Sequence, residues 1–92
     1  MNYSGGIYIF KNRSKNMYYI GQGKKVLSRV NNHLSGRGNG DVYADYKYGD
    51  TFTLQIVPLE STNYTNLNDL EREYIRLLDA YNTGYNRTRG NK

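Results

Sequence analysis

Two short runs of β-branched and aromatic residues open the chain. Ile7-Tyr8-Ile9-Phe10 and Met17-Tyr18-Tyr19-Ile20 flank a polar, turn-prone stretch, residues 11–16. Such runs suit strands, and their separation suits an antiparallel hairpin, stopped at Gly21 and Gly23. Pairing Tyr8 with Tyr19 and Phe10 with Met17 gives two faces. One carries Tyr8, Phe10, Met17 and Tyr19, the other Ile7, Ile9, Tyr18 and Ile20. A slip of one residue would separate the two tyrosines.

The spacing then becomes helical. Val26, Leu27, Val30 and Leu34 make one apolar stripe and predict a helix over residues 24–35, ended by Gly36. Residues 35–40 hold three glycines, and the loop reads either as a flexible connector or as a backbone cradle for a phosphate. It follows a helix instead of opening one after a strand, so it is not a P-loop. Residues 41–50 suggest a short helical turn. Residues 51–57 alternate as a third strand, closed by Pro58. The longest helix is predicted over 67–81, capped by Asn66 or Asn68, with Gly84 just past its end. The order is strand, strand, helix, short helix, strand, helix. This predicts an α+β fold, a small three-stranded antiparallel sheet flanked by helices. Residues 1–92 read as one domain, with 83–92 a basic tail belonging to it.

Composition narrows the class. Eleven of 92 residues are Tyr, with two Phe and no Trp, too aromatic for a disordered chain. No cysteine is present, which removes disulfides and Cys-based zinc sites. No apolar run approaches a membrane span, and the N-terminus does not resemble a signal peptide. The expectation is a cytoplasmic protein with no membrane association.

Charge narrows it further. The net formal charge is +5, unevenly spread. Lys11, Arg13, Lys15, Lys24, Lys25, Arg29 and Arg37 give residues 1–40 a charge of +7 with no acid. Residues 41–82 hold all eight acids and net −5, and Arg87, Arg89 and Lys92 make the C-terminus +3. A one-sign half suits a polyanionic partner, or more simply a solubilising surface. Tyr3, Tyr8, Phe10, Tyr18 and Tyr19 interleave with the bases and favour nucleic acid over a membrane, which needs a basic face opposite an apolar one.

Helix phase isolates one acid. On residues 67–81, Leu67, Leu70, Tyr74, Ile75, Leu77, Leu78 and Tyr81 fill one arc, and Glu71 alone among the charged residues falls inside it. A carboxylate there must be paired, neutralised or bound to a metal. Its roles are a salt bridge, for instance to Arg29, or a metal ligand or general acid/base. On the preceding helix Arg29 and His33 share one side. A guanidinium can fork two phosphate oxygens, and a neutral histidine can exchange a proton near neutral pH.

Gly6-Ile7-Tyr8, Tyr19-Ile20-Gly21, Arg29 eight residues beyond that glycine and His33 four further resemble the GIY-YIG nuclease family. Glu71-Arg72-Glu73-Tyr74-Ile75 resembles the helix that carries its metal-binding glutamate, and Gly84-Tyr85-Asn86 its C-terminal motif. The resemblance spans residues 5–87. It implies that Tyr8 activates or orients the attacking water and that Tyr19 adds a second hydroxyl. It further implies that Arg29 binds the scissile phosphate, His33 assists as a hydrogen-bond partner or proton relay, Glu71 holds Mg²⁺ (or Mn²⁺), and Asn86 orients the site. Glu73 is set aside because it points away from the apolar arc. A phenol titrates near ~10, so Tyr8 acts as a base only if neighbouring charge lowers that value; otherwise it positions water and His33 takes the proton.

The expected activity is divalent-metal-dependent DNA endonucleolysis, one strand per site. No added DNA-binding segment is evident, so low sequence selectivity or a partner subunit, or a homodimer for double-strand cleavage, is expected. Lys11, Arg13, Lys15, Lys24, Lys25, Arg37, Arg87 and Arg89 are the expected nucleic-acid contacts. The alternatives are a non-catalytic nucleic-acid-binding module with the same fold, and a tyrosine-rich protein-interaction domain.

Overall fold

A computed structural model describes residues 5–90; Tyr3, the first residues of the N-terminus and Lys92 lie outside that range. Strands β1 (Gly6–Asn12) and β2 (Met17–Gly23) are followed by helices α1 (Val26–Leu34) and α2 (Gly40–Tyr48). Strand β3 (Phe52–Pro58), a single 3₁₀ turn (Leu59–Ser61) and helix α3 (Leu67–Leu77) complete the fold. The sheet is antiparallel with order β2-β1-β3. This is the expected α+β arrangement.

Strand alternation divides the core. Ile7, Ile9 and Ile20 bury one face against Leu70, Ile75 and Ala80 of α3 and the turn after it. Tyr8 and Phe10 bury the other face against Val26 and Val30 of α1. Each such side chain removed from water contributes about 1.5–3 kcal/mol. β1 is central and covered on both faces, so its motif residues are held by packing from both sides.

The hairpin register differs from the expected one by two residues. Tyr8 pairs with Gly21 and Phe10 with Tyr19, in place of Tyr8 with Tyr19 and Phe10 with Met17. The faces are unchanged, because a two-residue slip conserves alternation. The turn decides the register. Asn12 Oδ1 accepts the N–H groups of Ser14 and Lys15 at 2.9 and 3.0 Å, and Asn16 takes φ +55°. These devices build a turn over 13–16 and carry both strands further.

Residues 40–48 form a full helix where only a turn was expected. Asn39 Oδ1 accepts from Asp41 and Val42 N–H groups, and Gly49 closes the end at φ +115°. Asn66 caps α3 through the Asp69 N–H at 2.9 Å. That helix stops at Leu77, short of the expected 81, because Asp79 turns left-handed at φ +52°. Leu77, the last residue of α3, and Tyr81 beyond it are exposed, as are Leu27 and Leu34 at the flanks of α1. Among the described residues no helix is long and apolar enough to cross a membrane.

Candidate functional site

The two tripeptides fit together through their glycine. Tyr8 has no exposed surface, and its ring lies over Gly21, its ladder partner. A Cβ on Gly21 would stand 2.1 Å from the ring's Cζ and 2.2 Å from the hydroxyl oxygen. Gly23 makes similar room for the stem of Arg29, whose Cγ would be 2.8 Å from an added Cβ. Glycine spacing along β2 thus sets where a phenol and a guanidinium pass.

The Tyr8 hydroxyl and His33 Nε2 are hydrogen-bonded at 3.1 Å, and the Asn39 N–H donates to His33 Nδ1 at 3.1 Å. Burial, and secondarily the charge of Arg29, hold the imidazole below its ordinary pKa, so it is neutral at pH 7. A neutral ring that accepts at Nδ1 carries its proton on Nε2. His33 therefore donates to the Tyr8 oxygen. The glycine loop serves this arrangement: a Cβ on Gly38 would lie 2.2 Å from Nδ1.

Burial raises the Tyr8 pKa above its usual value, against a lowering pull from Arg29 beside it. Tyr19 is pushed up to about 12, by burial first and then by the negative forms of Tyr8 and Glu71. Both phenols are neutral at pH 7.

Tyr19, Arg29, His33, Glu71 and Asn86 line one open cleft of about 420 Å³, together with Arg37 and Arg87. Tyr8 lies beneath it, joined through His33. Glu71 is 9 % exposed and accepts from Gln22 Nε2 at 3.1 Å. Burial raises its pKa, while the Gln22 bond and then Arg29 oppose the rise. Of the alternatives for Glu71, the salt bridge to Arg29 is not formed: among the described residues no cation lies within 4.0 Å of the Glu71 carboxylate. Both side chains reach the cleft, but their charges stay apart.

The C-terminal motif acts on a strand edge. Asn86 Oδ1 accepts the Ile20 N–H at 2.8 Å and its Nδ2 donates to the Ile20 carbonyl at 2.9 Å. The Tyr85 N–H donates to the Tyr18 carbonyl at 2.9 Å. This segment satisfies the outer edge of β2 on both sides of Tyr19. Gly84 permits the approach, since a Cβ there would meet the Tyr18 carbonyl oxygen at 2.4 Å. The Asn86 amide is occupied by backbone and holds the β2 edge beside Tyr19.

The remaining bases scatter. Lys15 pairs with Asp45 at 3.0 Å, and Lys11 lies over the Tyr18 ring at 5.5 Å. Arg13 sits in the exposed hairpin turn. Lys24 and Lys25 border a separate depression with Leu27 and Ile56. Arg89 stacks on Tyr81 at 5.1 Å, away from the cleft. Arg87, in the lining of the cleft, also approaches Asp41 at 3.6 Å, both largely exposed.

Sequence reasoning missed the supporting polar residues. Asn12, fully buried, donates to Asp50 at 2.7 Å and to the Tyr85 hydroxyl at 2.8 Å. Tyr85 in turn donates to Asp45, and that bond, ahead of Lys15, holds the Asp45 carboxyl below its usual range. This network ties hairpin, α2 and C-terminal segment behind the cleft. An asparagine ending an apolar strand was its only sequence signal.

Comparison with known proteins identifies the class as a nuclease domain. The model of the GIY-YIG catalytic domain matches residues 4–86, so the chain belongs to that family. It is a metal-dependent endonuclease domain, with DNA as the substrate that class implies. In three dimensions it resembles a mutant form of the catalytic domain of the intron endonuclease I-TevI, with a TM-score of 0.66 and 22% identity over 95% of this chain and 96% of that one. None of the curated proteins matches significantly.

Proposed function

We propose that this domain hydrolyses DNA phosphodiesters in the cleft bounded by α1, β2, α3 and residues 86–88, cutting one strand per site. The observation that carries the reading is convergence: Tyr19, Arg29, His33, Glu71 and Asn86 reach one cleft from four parts of the chain. We read residues 1–92 as one domain.

Arg29 binds the scissile phosphate and stabilises the charge that grows on it. Arg37 and Arg87 hold neighbouring phosphates, which fix position without reading bases. Low sequence selectivity, or targeting by a partner subunit, follows, and double-strand cleavage takes two copies or two encounters.

Tyr19, neutral at pH 7 and in the lining of the cleft, orients the attacking water by hydrogen bonding instead of deprotonating it outright, and Tyr8, with no exposed surface, acts from beneath through His33. His33 Nε2–H donates to the Tyr8 oxygen, so it favours negative charge on Tyr8 and is not placed to receive that proton.

The donor set fits a hard cation. Among the described residues no cluster of three His, Cys, Asp or Glu exists, and Glu71 is one buried carboxylate without an ion pair. Mg²⁺ is commonly held by one or two carboxylates plus waters and substrate phosphates. Glu71 would hold it, or Mn²⁺ in its place, and the ion would supply Lewis-acid stabilisation of the leaving oxygen.

Supercoiled plasmid incubated with Mg²⁺ or Mn²⁺ tests this. Wild type should relax it by nicking, and Glu71→Ala and Arg29→Ala should each lose about two orders of magnitude or more. Equal nicking by all three proteins would remove the cleft from the chemistry. DNA binding without nicking would favour the non-catalytic module.

A further inference from the structure

Gln22 follows the second tripeptide directly, and its side chain leaves the sheet on the α3 side, as Ile20 does. Its Nε2 donates twice, to Asn68 Oδ1 at 2.8 Å and to Glu71 Oε1 at 3.1 Å. Asn68 and Glu71 stand three residues apart on α3 and share one face. A primary amide has two N–H donors, so both are used. Both partners offer oxygen, which fixes which end of the amide faces α3.

We propose that Gln22 is a positioning residue for the cation site: its amide, braced on Asn68, grips Glu71 Oε1 and turns Oε2 toward the cleft. The inference rests on Glu71 being the cation ligand, and it adds why residue 22 is a neutral donor.

Three kinds of side chain at this position would behave differently. An apolar one leaves Oε1 of a buried carboxylate without its donor and the carboxylate free to turn. A lysine or arginine supplies a donor but neutralises the carboxylate and competes with a metal for it. An amide orients the oxygen while leaving the full negative charge for a cation. The absence of any ion pair on Glu71 among the described residues has the same consequence. Groups that orient metal ligands commonly matter by 10–100-fold in affinity.

The experiment measures Mn²⁺ binding directly. Free Mn²⁺ is followed by electron paramagnetic resonance as it is titrated into protein with an uncleavable phosphorothioate duplex. Wild type, Glu71→Ala, Gln22→Met and Gln22→Lys are compared well below their melting temperatures. Methionine keeps the length and removes the donor; lysine keeps a donor and adds charge.

Beyond the Mn²⁺ taken up by the duplex alone, which is measured and subtracted, wild type should bind Mn²⁺ and Glu71→Ala should not. Gln22→Met should bind about tenfold more weakly, and Gln22→Lys not detectably. A merely structural Gln22 predicts lower melting temperatures with unchanged Mn²⁺ affinity. Gln22→Met within twofold of wild type overturns the proposal while leaving Glu71 as ligand. If Gln22→Met does not fold, Gln22→Lys decides: wild-type affinity in that protein overturns the proposal equally. Binding that survives Glu71→Ala, or is missing from wild type, overturns both readings.

Discussion

Gly21→Ala probes the contact that joins the two tripeptides. The added methyl would stand 2.1 Å from Tyr8 Cζ, where ordinary contact begins at 3.4 Å, so ring or backbone must yield by about 1.3 Å. The ring has no slack. Phe10, Tyr19 and His33 pack around it with centroids at 5.9, 6.4 and 5.4 Å, and the residue has no exposed surface. Overpacking of this kind costs about 1–3 kcal/mol. Lower unfolded-state entropy of alanine returns about 0.4–1 kcal/mol. A net loss on the order of 1–2 kcal/mol remains, against a total of about 5–14 kcal/mol for a chain of this length. The melting temperature should fall by about 4–16 °C. Because the Tyr8 hydroxyl moves with its ring, plasmid nicking at low temperature should fall about 10²-fold even where the protein is fully folded. A double-mutant cycle with Tyr8→Val isolates the contact, since alanine at 21 should be tolerated once the ring is gone. A melting temperature within 1 °C of wild type, or an equal cost in both backgrounds, would refute the reasoning.

Other expectations follow from the same geometry. Burial raises the Glu71 pKa, so its ionised form opposes folding at neutral pH; Glu71→Gln should end nicking yet raise the melting temperature, read by thermal melts in chelator. His33 is depressed by burial, so the unfolded chain takes up its proton first on acidification. That contribution is present above about pH 6.5 and lost as pH falls through the native value, and melts at stepped pH should show a flatter profile for His33→Gln. Arg29→Lys keeps the charge but loses the planar fork, and nicking should fall about 10²-fold with DNA affinity little changed. Three cleft arginines on phosphates predict a plot of log affinity against log salt with a slope of about −3.

Alternation along β1 and β2, the helical stripes and the Asn66 cap made the architecture legible, because each is a local pattern. Register was not, since a two-residue slip preserves every hydrophobic assignment and only the Asn12 and Asn16 turn conformation selects one. α2 lacked apolar periodicity, and its formation depends on Asn39 and Gly49 at its ends. The end of α3 depended on one left-handed residue, Asp79. In the site, helix phase singled out Glu71 and placed Arg29 beside His33. What stayed hidden were groups that act through others. Gln22 reads as an ordinary polar residue until α3 is folded against β2, and Asn39 as loop filler until its N–H meets His33. The depth of Tyr8 was equally hidden, because burial of a central strand on both faces is a property of the assembled sheet.

The account stands on a single cleft in which Glu71 carries the cation. Anomalous scattering from Mn²⁺ in crystals with an uncleavable phosphorothioate duplex addresses that directly. The account predicts a peak about 2.0–2.3 Å from a Glu71 carboxylate oxygen, with the bound phosphate facing Arg29. A well-occupied ion beside the phosphate but remote from Glu71 would contradict it.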